Sequence, residues 1–293
     1  MSKILVTGAS GHLGRLVIQN LTDANKVAPS GIVAASRDPG KLADLAARGI
    51  ETRRVDFDDA SSLANAFAGI DRLLIISTDA LDRPGRRLEQ HTAAVAAAKA
   101  AGVGRIFYTS MPKPETSLVS FAPDHAGTEK AIEESGIPYT IFRNGWYMEN
   151  LLMSLPQSLA SGQWYSAADK GKNAYVARAD IAAAIAGGLA NPESGNAIYT
   201  LTGSIALSTE EIAALVTDVS GKPLTVVHLN DEQLAGGMKS AGVPDFLIPM
   251  LISFETNTRA GGFDVVTDDV KKLSGRAPLD LKSFLEANKD TLA

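Results

Sequence analysis

The stretch Ile4–Arg15 constrains the chain most. An aliphatic run, Ile4-Leu5-Val6, ends in three glycines stepped as Gly8-x-x-Gly11-x-x-Gly14. Apolar residues Leu13, Leu16, Val17, Ile18 and Leu21 follow at helical spacing. Strand, glycine turn and helix N-terminus in that order make a cradle for a pyrophosphate. Gly8 permits the tight turn out of the strand. Gly11 lets the backbone approach a phosphate, and Gly14 lets the helix lie close on the strand. Free N–H groups and the helix dipole favour an anion there. The expected diphosphate site is therefore Gly8, Ala9, Ser10, Gly11, His12, Leu13 and Gly14. The plain alternative is an ordinary βα turn.

A length of 293 residues allows one large domain or a domain with a smaller lobe, and 45% apolar content suffices for a sizeable core. The net charge of −5, without a Lys/Arg cluster, argues against nucleic acid as a partner. No cysteine is present, which excludes disulfides, thiolate metal sites and cysteine catalysis. His12, His91, His125 and His228 are scattered, so no metal site is expected. Apolar stretches such as Ala93–Ala101 are far shorter than a membrane span, and Met1-Ser2-Lys3 leads straight into the first strand. A cytoplasmic protein that does not engage a membrane is expected.

Strands alternate with helices through the first half, the pattern of a parallel sheet covered on both faces. Strands are predicted at Ile4–Thr7, Ile32–Ser36, Glu51–Val55, Arg72–Ser77, Arg105–Ser110 and Tyr139–Arg143. Helices are predicted at Gly14–Leu21, Lys41–Arg48, Ala60–Phe67, Arg87–Ala101 and His125–Glu134. The alternation then loosens over Asn144–Asn173. A helix capped by Asp180 runs to Leu189, and Ala197–Thr202 reads as one more strand. Ser208 or Thr209 caps Glu210–Val219, and Lys222–His228 reads as a strand. Asp231–Ser240, Pro244–Phe254 and Pro278–Lys289 read as helices. The expected fold is a doubly wound α/β sheet of Rossmann type with a smaller C-terminal α/β lobe. Residues 1–150 would bind the dinucleotide with 174–202 returning to them; 151–173 and 203–293 would form the substrate-side lobe.

Ligands of such sheets lie at the carboxyl ends of the strands. The second strand ends Ser36-Arg37, where an acid would favour an unphosphorylated ribose. Arg37 can fork onto a 2′-phosphate and Ser36 can add a hydroxyl, which favours NADPH over a more weakly bound NADH. Alternatively Arg37 is a solvated arginine paired with Asp38 or Asp56. Asp56 can accept from the adenine amino group with Phe57 packed nearby. Ser77 and Thr78 end the fourth strand beside the ribose and pyrophosphate.

The glycine pattern, Arg37, Asp56-Phe57 and the run Ile137-Pro138-Tyr139-Thr140-Ile141-Phe142-Arg143-Asn144-Gly145-Trp146-Tyr147 together resemble the NmrA-like branch of atypical short-chain dehydrogenases. Within it the likeness is greatest to the bacterial NAD(P)H:quinone oxidoreductase and triphenylmethane reductase group. It spans essentially the whole chain, and the run Arg143–Tyr147 with Glu149-Asn150 is its most specific part. Ordinary members of the superfamily carry Tyr-x-x-x-Lys after the fifth strand. The counterpart here is Phe121-x-x-x-His125, with Glu129 further on. Phenylalanine has no proton to give, which argues against alcohol oxidation or epimerisation through a tyrosinate.

The resemblance implies hydride transfer to an acceptor that carries the charge itself, such as a quinone or a cationic triarylmethane dye. Such a site needs a flat apolar pocket with aromatic walls and one or two polar donors. Asn144, Gly145, Trp146 and Tyr147 sit at a strand's carboxyl end. Asn144 is expected to hold the nicotinamide or the acceptor oxygen, with Trp146 and Tyr147 as walls; core packing is the alternative for both aromatics. His125 is either an acid or orienting donor, or a helix-start residue near the ribose. Lys172 and Arg178 either reach the cofactor or lie on the surface. The stripe Phe246, Leu247, Met250, Leu251 and Phe254 is core, dimer contact or a lid, which leaves monomer and homodimer open. A regulator that senses the cofactor without turnover is the rival function.

Overall fold

Near-continuous aliphatic runs separated by amphipathic helices leave one economical arrangement, a parallel sheet buried on both faces. The computed structural model describes residues 2–292. In chain order the first half contains β1 (Ile4–Val6), α1 (His12–Asp23), β2 (Ile32–Ser36), α2 (Ala43–Ala47), β3 (Glu51–Arg54), α3 (Ala60–Phe67) and β4 (Arg72–Ile75). It continues with α4 (Arg86–Ala100), β5 (Arg105–Ser110), α5 (Ala122–Ser135) and β6 (Tyr139–Asn144). The chain then leaves the sheet through α6 (Leu155–Ser161), β7 (Gln163–Ser166) and β8 (Lys172–Asn173). It returns with α7 (Arg178–Ala190) and β9 (Ala197–Leu201). The remainder is β10 (Leu207–Ser208), α8 (Thr209–Ser220), β11 (Thr225–His228), α9 (Asp231–Ser240), α10 (Ile248–Arg259), α11 (Asp269–Ser274) and α12 (Leu281–Ala287).

The main sheet runs β3-β2-β1-β4-β5-β6-β9, with every pair parallel. Side chains alternate between its two faces. Ile4, Val6, Ile32 and Leu74 join Val17 and Ile18 of α1 and Ile181 and Ile185 of α7 in one core layer. Leu5, Val33, Leu73 and Ile106 join Leu63 of α3, Val95 of α4 and Ile132 of α5 in the other. Each fully buried aliphatic chain contributes about 1.5–3 kcal/mol, so the layers hold the strand ends rigidly in register.

β7 and β11 pair in parallel and β8 and β10 antiparallel in two short sheets; β11 lies within the strand expected at Lys222–His228, whereas β7, β8 and β10 had no local signal. A third core, with Leu155, Ile212, Val216, Phe284 and Leu285, packs these C-terminal elements. Ser208 caps α8 in a capping box with Glu211, as its sequence suggests. Asp180, in contrast, does not cap α7. It lies in the first turn, buried, where it accepts from Leu279 N at 2.7 Å and pairs with Arg276 at 2.6 Å. Glu149 does the capping instead, accepting from Arg178 N at 3.0 and 3.1 Å. The last helix is shorter than the run Pro278–Lys289, because Asp280 caps it by accepting from Ser283 N. Among the described residues no helix is long and apolar enough to cross a membrane, and no His/Asp/Glu group is placed to hold a metal ion.

Candidate active site

The glycine turn has the geometry its spacing demands. Gly8 adopts φ +60°, a left-handed conformation that glycine takes without steric cost. Gly11 N–H donates to Gly8 O at 2.9 Å and closes the turn. A Cβ on Gly14 would stand 2.4 Å from Gly8 O and 2.8 Å from Ala9 Cα, so glycine alone lets α1 approach this closely. α1 has no side-chain cap and no acid in its first turn, which leaves its N-terminal N–H groups for an anion.

The turn opens into a cleft of about 450 Å³ along the carboxyl ends of β1, β2 and β4. Gly8, Ser10, Gly11, Ser36, Arg37, Asp56, Phe57, Ser77 and Thr78 line it. Ala9, His12, Leu13 and Gly14 build the turn but do not line the cleft; the N–H of Ala9 is held by Ala35 O at 2.9 Å. Ser10 and Ser36 share a hydroxyl contact of 3.0 Å. Arg37 is not held by Asp38 or Asp56. Asp38 accepts from Gly40 N and Asp56 pairs with Arg54, while the Arg37 guanidinium is 74% exposed with Asp79 at 4.0 Å. It can turn to a phosphate at little cost. A cleft with an uncapped helix end, a close-packed glycine turn and a loosely held arginine fits an NADP-type dinucleotide.

The backbone leaving β4 is pinned by side chains. Ile76 N donates to Thr7 Oγ1, Ser77 N to Thr109 Oγ1 and Thr78 N to His91 Nε2, at 2.9, 2.9 and 3.0 Å. Ser77 also lines a second cavity, of about 290 Å³, so the two share a wall just beyond β4. Here the structure brings together Phe121, His125, Asn144, Gly145, Trp146 and Tyr147. Residues 145–148 run beside 174–176: Gly145 N donates to Leu201 O, Val176 N to Trp146 O and Met148 N to Val176 O. A Cβ at Gly145 would meet Leu201 O at 3.0 Å, so this wall needs its glycine. The Trp146 ring packs at a tilt against Phe254, 4.1 Å away, and Phe263, 5.9 Å away. Of the apolar stripe, Phe254 thus backs the cavity wall, whereas Phe246 is 75% exposed. Burial pushes the Tyr147 hydroxyl up from its usual pKa, so it stays a neutral hydrogen-bond donor.

Behind Phe121 and His125 lies a buried polar network whose proton positions follow from its fixed donors. Arg87 can only donate, and its Nη1 stands 3.2 Å from His125 Nε2, so that nitrogen accepts. His125 Nδ1 therefore carries the proton and donates to the Tyr108 hydroxyl at 2.8 Å. The Tyr108 hydroxyl also stands 3.3 Å from His91 Nδ1, and the Thr128 hydroxyl donates to Asp124 O at 2.6 Å. His91 accepts from Thr78 N at Nε2, so its Nδ1 donates to Thr128 at 3.0 Å. Desolvation, with Arg87 nearby, lowers the pKa of His91 to about 3 and that of His125 well below the usual histidine range. Both rings are neutral, and His125 has no proton free for an acceptor. In this arrangement His125 holds Arg87 as an acceptor rather than acting as the donor its place in the sequence suggests.

Lys172 lies in β8 and pairs with Glu211 at 3.3 Å; it lines neither cavity. Arg178 does line the second cavity, its guanidinium 4.8 Å over the Tyr147 ring. Arg87, Ser110, Met111, Pro112 and Phe263 also line it without having been singled out in the sequence, and Asn150, from the run that carries the family resemblance, joins them. Arg87 had a legible signal: it precedes His91 by one helical turn, on the face of α4 that also buries Ala94, Val95 and Ala98.

The NmrA-like family pattern matches residues 1–284. The chain belongs to the NmrA-like family. It is 41% identical to quinone oxidoreductase 2 of Escherichia coli over 271 residues, 92% of each chain. The crystal structure of that NADPH-dependent enzyme complexed with NADPH superposes with a TM-score of 0.92 at 39% identity, over 97% of this chain and 99% of that one. The triphenylmethane reductase of Citrobacter sp., complexed with NADP(H), superposes with a TM-score of 0.91 at 34% identity, over 99% and 100%. The NAD(P)H azoreductase of Xenophilus azovorans is 29% identical over 286 residues, 97% of each chain. The chain thus falls with the NAD(P)H-dependent oxidoreductases of the quinone-reductase and azoreductase type.

Proposed function

We propose that the protein is an NADPH-preferring reductase that transfers a hydride to quinones or similarly electrophilic aromatic acceptors. The observation that carries this is the aromatic-walled cavity, lined by Phe121, Trp146, Tyr147 and Phe263, that shares Ser77 with the dinucleotide cleft. Arg37 and Ser36 would take the 2′-phosphate, the Gly8–Gly14 turn the diphosphate, and Asp56 with Phe57 the adenine end. When bound, the dinucleotide supplies a hydride. Asn144 and the backbone at Gly145 hold its reacting end or the acceptor oxygen, and the Trp146 and Tyr147 rings exclude water from a flat acceptor. The Tyr147 hydroxyl, kept protonated by burial, offers a hydrogen bond to the acceptor oxygen.

Phe121 occupies the position of the proton-donating tyrosine, and His125 is locked between Arg87 and Tyr108. The acceptor must therefore bear the electron pair itself. A quinone does so as the hydroquinone anion and then takes one proton from water. Anaerobic NADPH oxidation by the purified protein with a panel of quinones, NADH in parallel, tests the proposal. Saturable consumption with NADPH favoured is expected. Tight cofactor binding with no consumption by any acceptor would replace the reductase with a cofactor-sensing regulator.

A further inference from the structure

The acceptor cavity carries two arginines, Arg87 and Arg178, and no carboxylate among its lining residues. This is unexpected in a chain of net charge −5 whose other arginines are largely engaged by acids, as Arg54, Arg86, Arg143 and Arg259 are. Arg87 is only 7% exposed, and a charge so buried ordinarily has a carboxylate partner. Among the described residues it has none within ion-pair distance. Its Nη1 leans on the neutral ring of His125, its guanidinium lies 4.7 Å over the Phe121 ring, and its Nε is buried without a hydrogen-bond partner. Nε and Nη2 form the edge of the guanidinium that a carboxylate or sulfonate engages in a bidentate fork. Two cavity-lining residues likewise carry a buried atom without a partner: Ser110 Oγ, a hydroxyl that can donate to an anion, and Asn144 Oδ1, which only accepts and so does not serve one. Both residues are more than nine-tenths buried. Native proteins rarely leave such groups unpaired; a ligand or an ordered water ordinarily completes them.

Resting on the reductase proposal, we infer that this cavity selects acceptors bearing a carboxylate or sulfonate, which Arg87 binds with help from Ser110 and Arg178. The same charge repels cationic acceptors, so triarylmethane dye cations are disfavoured although they suit the hydride chemistry. His125 acts through Arg87 as a positioning residue.

The test is equilibrium binding to the NADP⁺-loaded protein, which does not depend on turnover. Anthraquinone-2-sulfonate is compared with neutral 2-(hydroxymethyl)anthraquinone and with crystal violet, by calorimetric titration. The sulfonate is expected to bind about tenfold or more tighter than the neutral analogue, the scale of a charge-assisted bond. Arg87→Met should abolish that preference and improve dye binding, and Arg87→Lys should restore part of it. Arg178→Gln, at the more exposed arginine, should reduce it without depending on how the buried site tolerates methionine. Equal binding of sulfonate and neutral analogue by the unaltered protein overturns the inference. So does an unchanged preference in both neutralised variants, or an Arg87→Met loss of NADPH affinity as large as the loss for the sulfonate, which would assign Arg87 to the cofactor. Preferential sulfonate binding without NADPH consumption would leave the inference standing and remove the reductase proposal.

Discussion

Replacing Arg37 with alanine should weaken NADPH selectively. The side chain is 74% exposed and its nearest acid, Asp79, stands at 4.0 Å. Releasing such a pair costs at most a fraction of a kcal/mol. A guanidinium on a phosphate contributes about 1.5–3 kcal/mol as a charge-assisted bond, and solvent screening at this exposed rim takes it to about 1–2 kcal/mol. The expected loss of NADPH affinity is therefore about 5- to 30-fold, larger at low salt. NADH lacks the 2′-phosphate and should change by less than about twofold on the same scale. Titration of cofactor fluorescence with both dinucleotides at two ionic strengths measures this. No core residue leans on Arg37, so the melting temperature should hold. Equal losses for the two cofactors would refute the assignment of Arg37 to the phosphate.

Other perturbations follow from the same geometry. Gly14→Ala places a Cβ against Gly8 O and Ala9 Cα; overpacking of about 1–3 kcal/mol should lower the melting temperature by several degrees and weaken both cofactors alike. His91 titrates at about 3 when folded, against about 6.5 in an unfolded chain. The unfolded state thus takes the proton first, and stability present above about pH 6.5 should fall as pH drops toward 3, by up to about 5 kcal/mol from this group, with His125 adding in the same direction. Urea unfolding across that range should show the slope, and His91→Gln should flatten it. Phe121→Tyr should alter quinone turnover by less than about threefold, since a working general acid would be worth ~100-fold or more; a large change in kcat would relocate the proton donor.

The first half of the fold was legible because its signals are local. The run Ile4–Val6, the stepped glycines and the buried strands ending at Ser36 and Ser110 each declare themselves within a dozen residues or fewer. The strand-end positions Ser36, Arg37, Asp56, Phe57, Ser77 and Thr78 do line one cleft, because parallel strands must deliver their carboxyl ends to one edge. What escaped depends on distant partners. Glu149 displaces Asp180 as the cap of α7 only because residues 145–148 are zipped beside 174–176. β7 is a strand by virtue of its pairing with β11, which its own sequence had declared. Arg86 and Arg87 are neighbours of identical chemistry, yet Arg86 pairs with Asp58 and Asp82 at the surface while the helical turn carries Arg87 inward to His125. Lys172 and Arg178 were equivalent in sequence, and the structure separates them: the first is held by Glu211, the second faces the cavity.

Transfer of the hydride to an acceptor without a protein acid is the central claim. The most direct measurement is anaerobic single-turnover oxidation of bound NADPH by a neutral quinone, followed from about pH 6 to about pH 9, the range where an ordinary histidine or shifted acid would titrate. His91 and His125 are neutral throughout that range and Tyr147 remains protonated. The account predicts oxidation at a rate that does not change with pH. A rate governed by a single protonation in that window, or no oxidation at any pH, would contradict it.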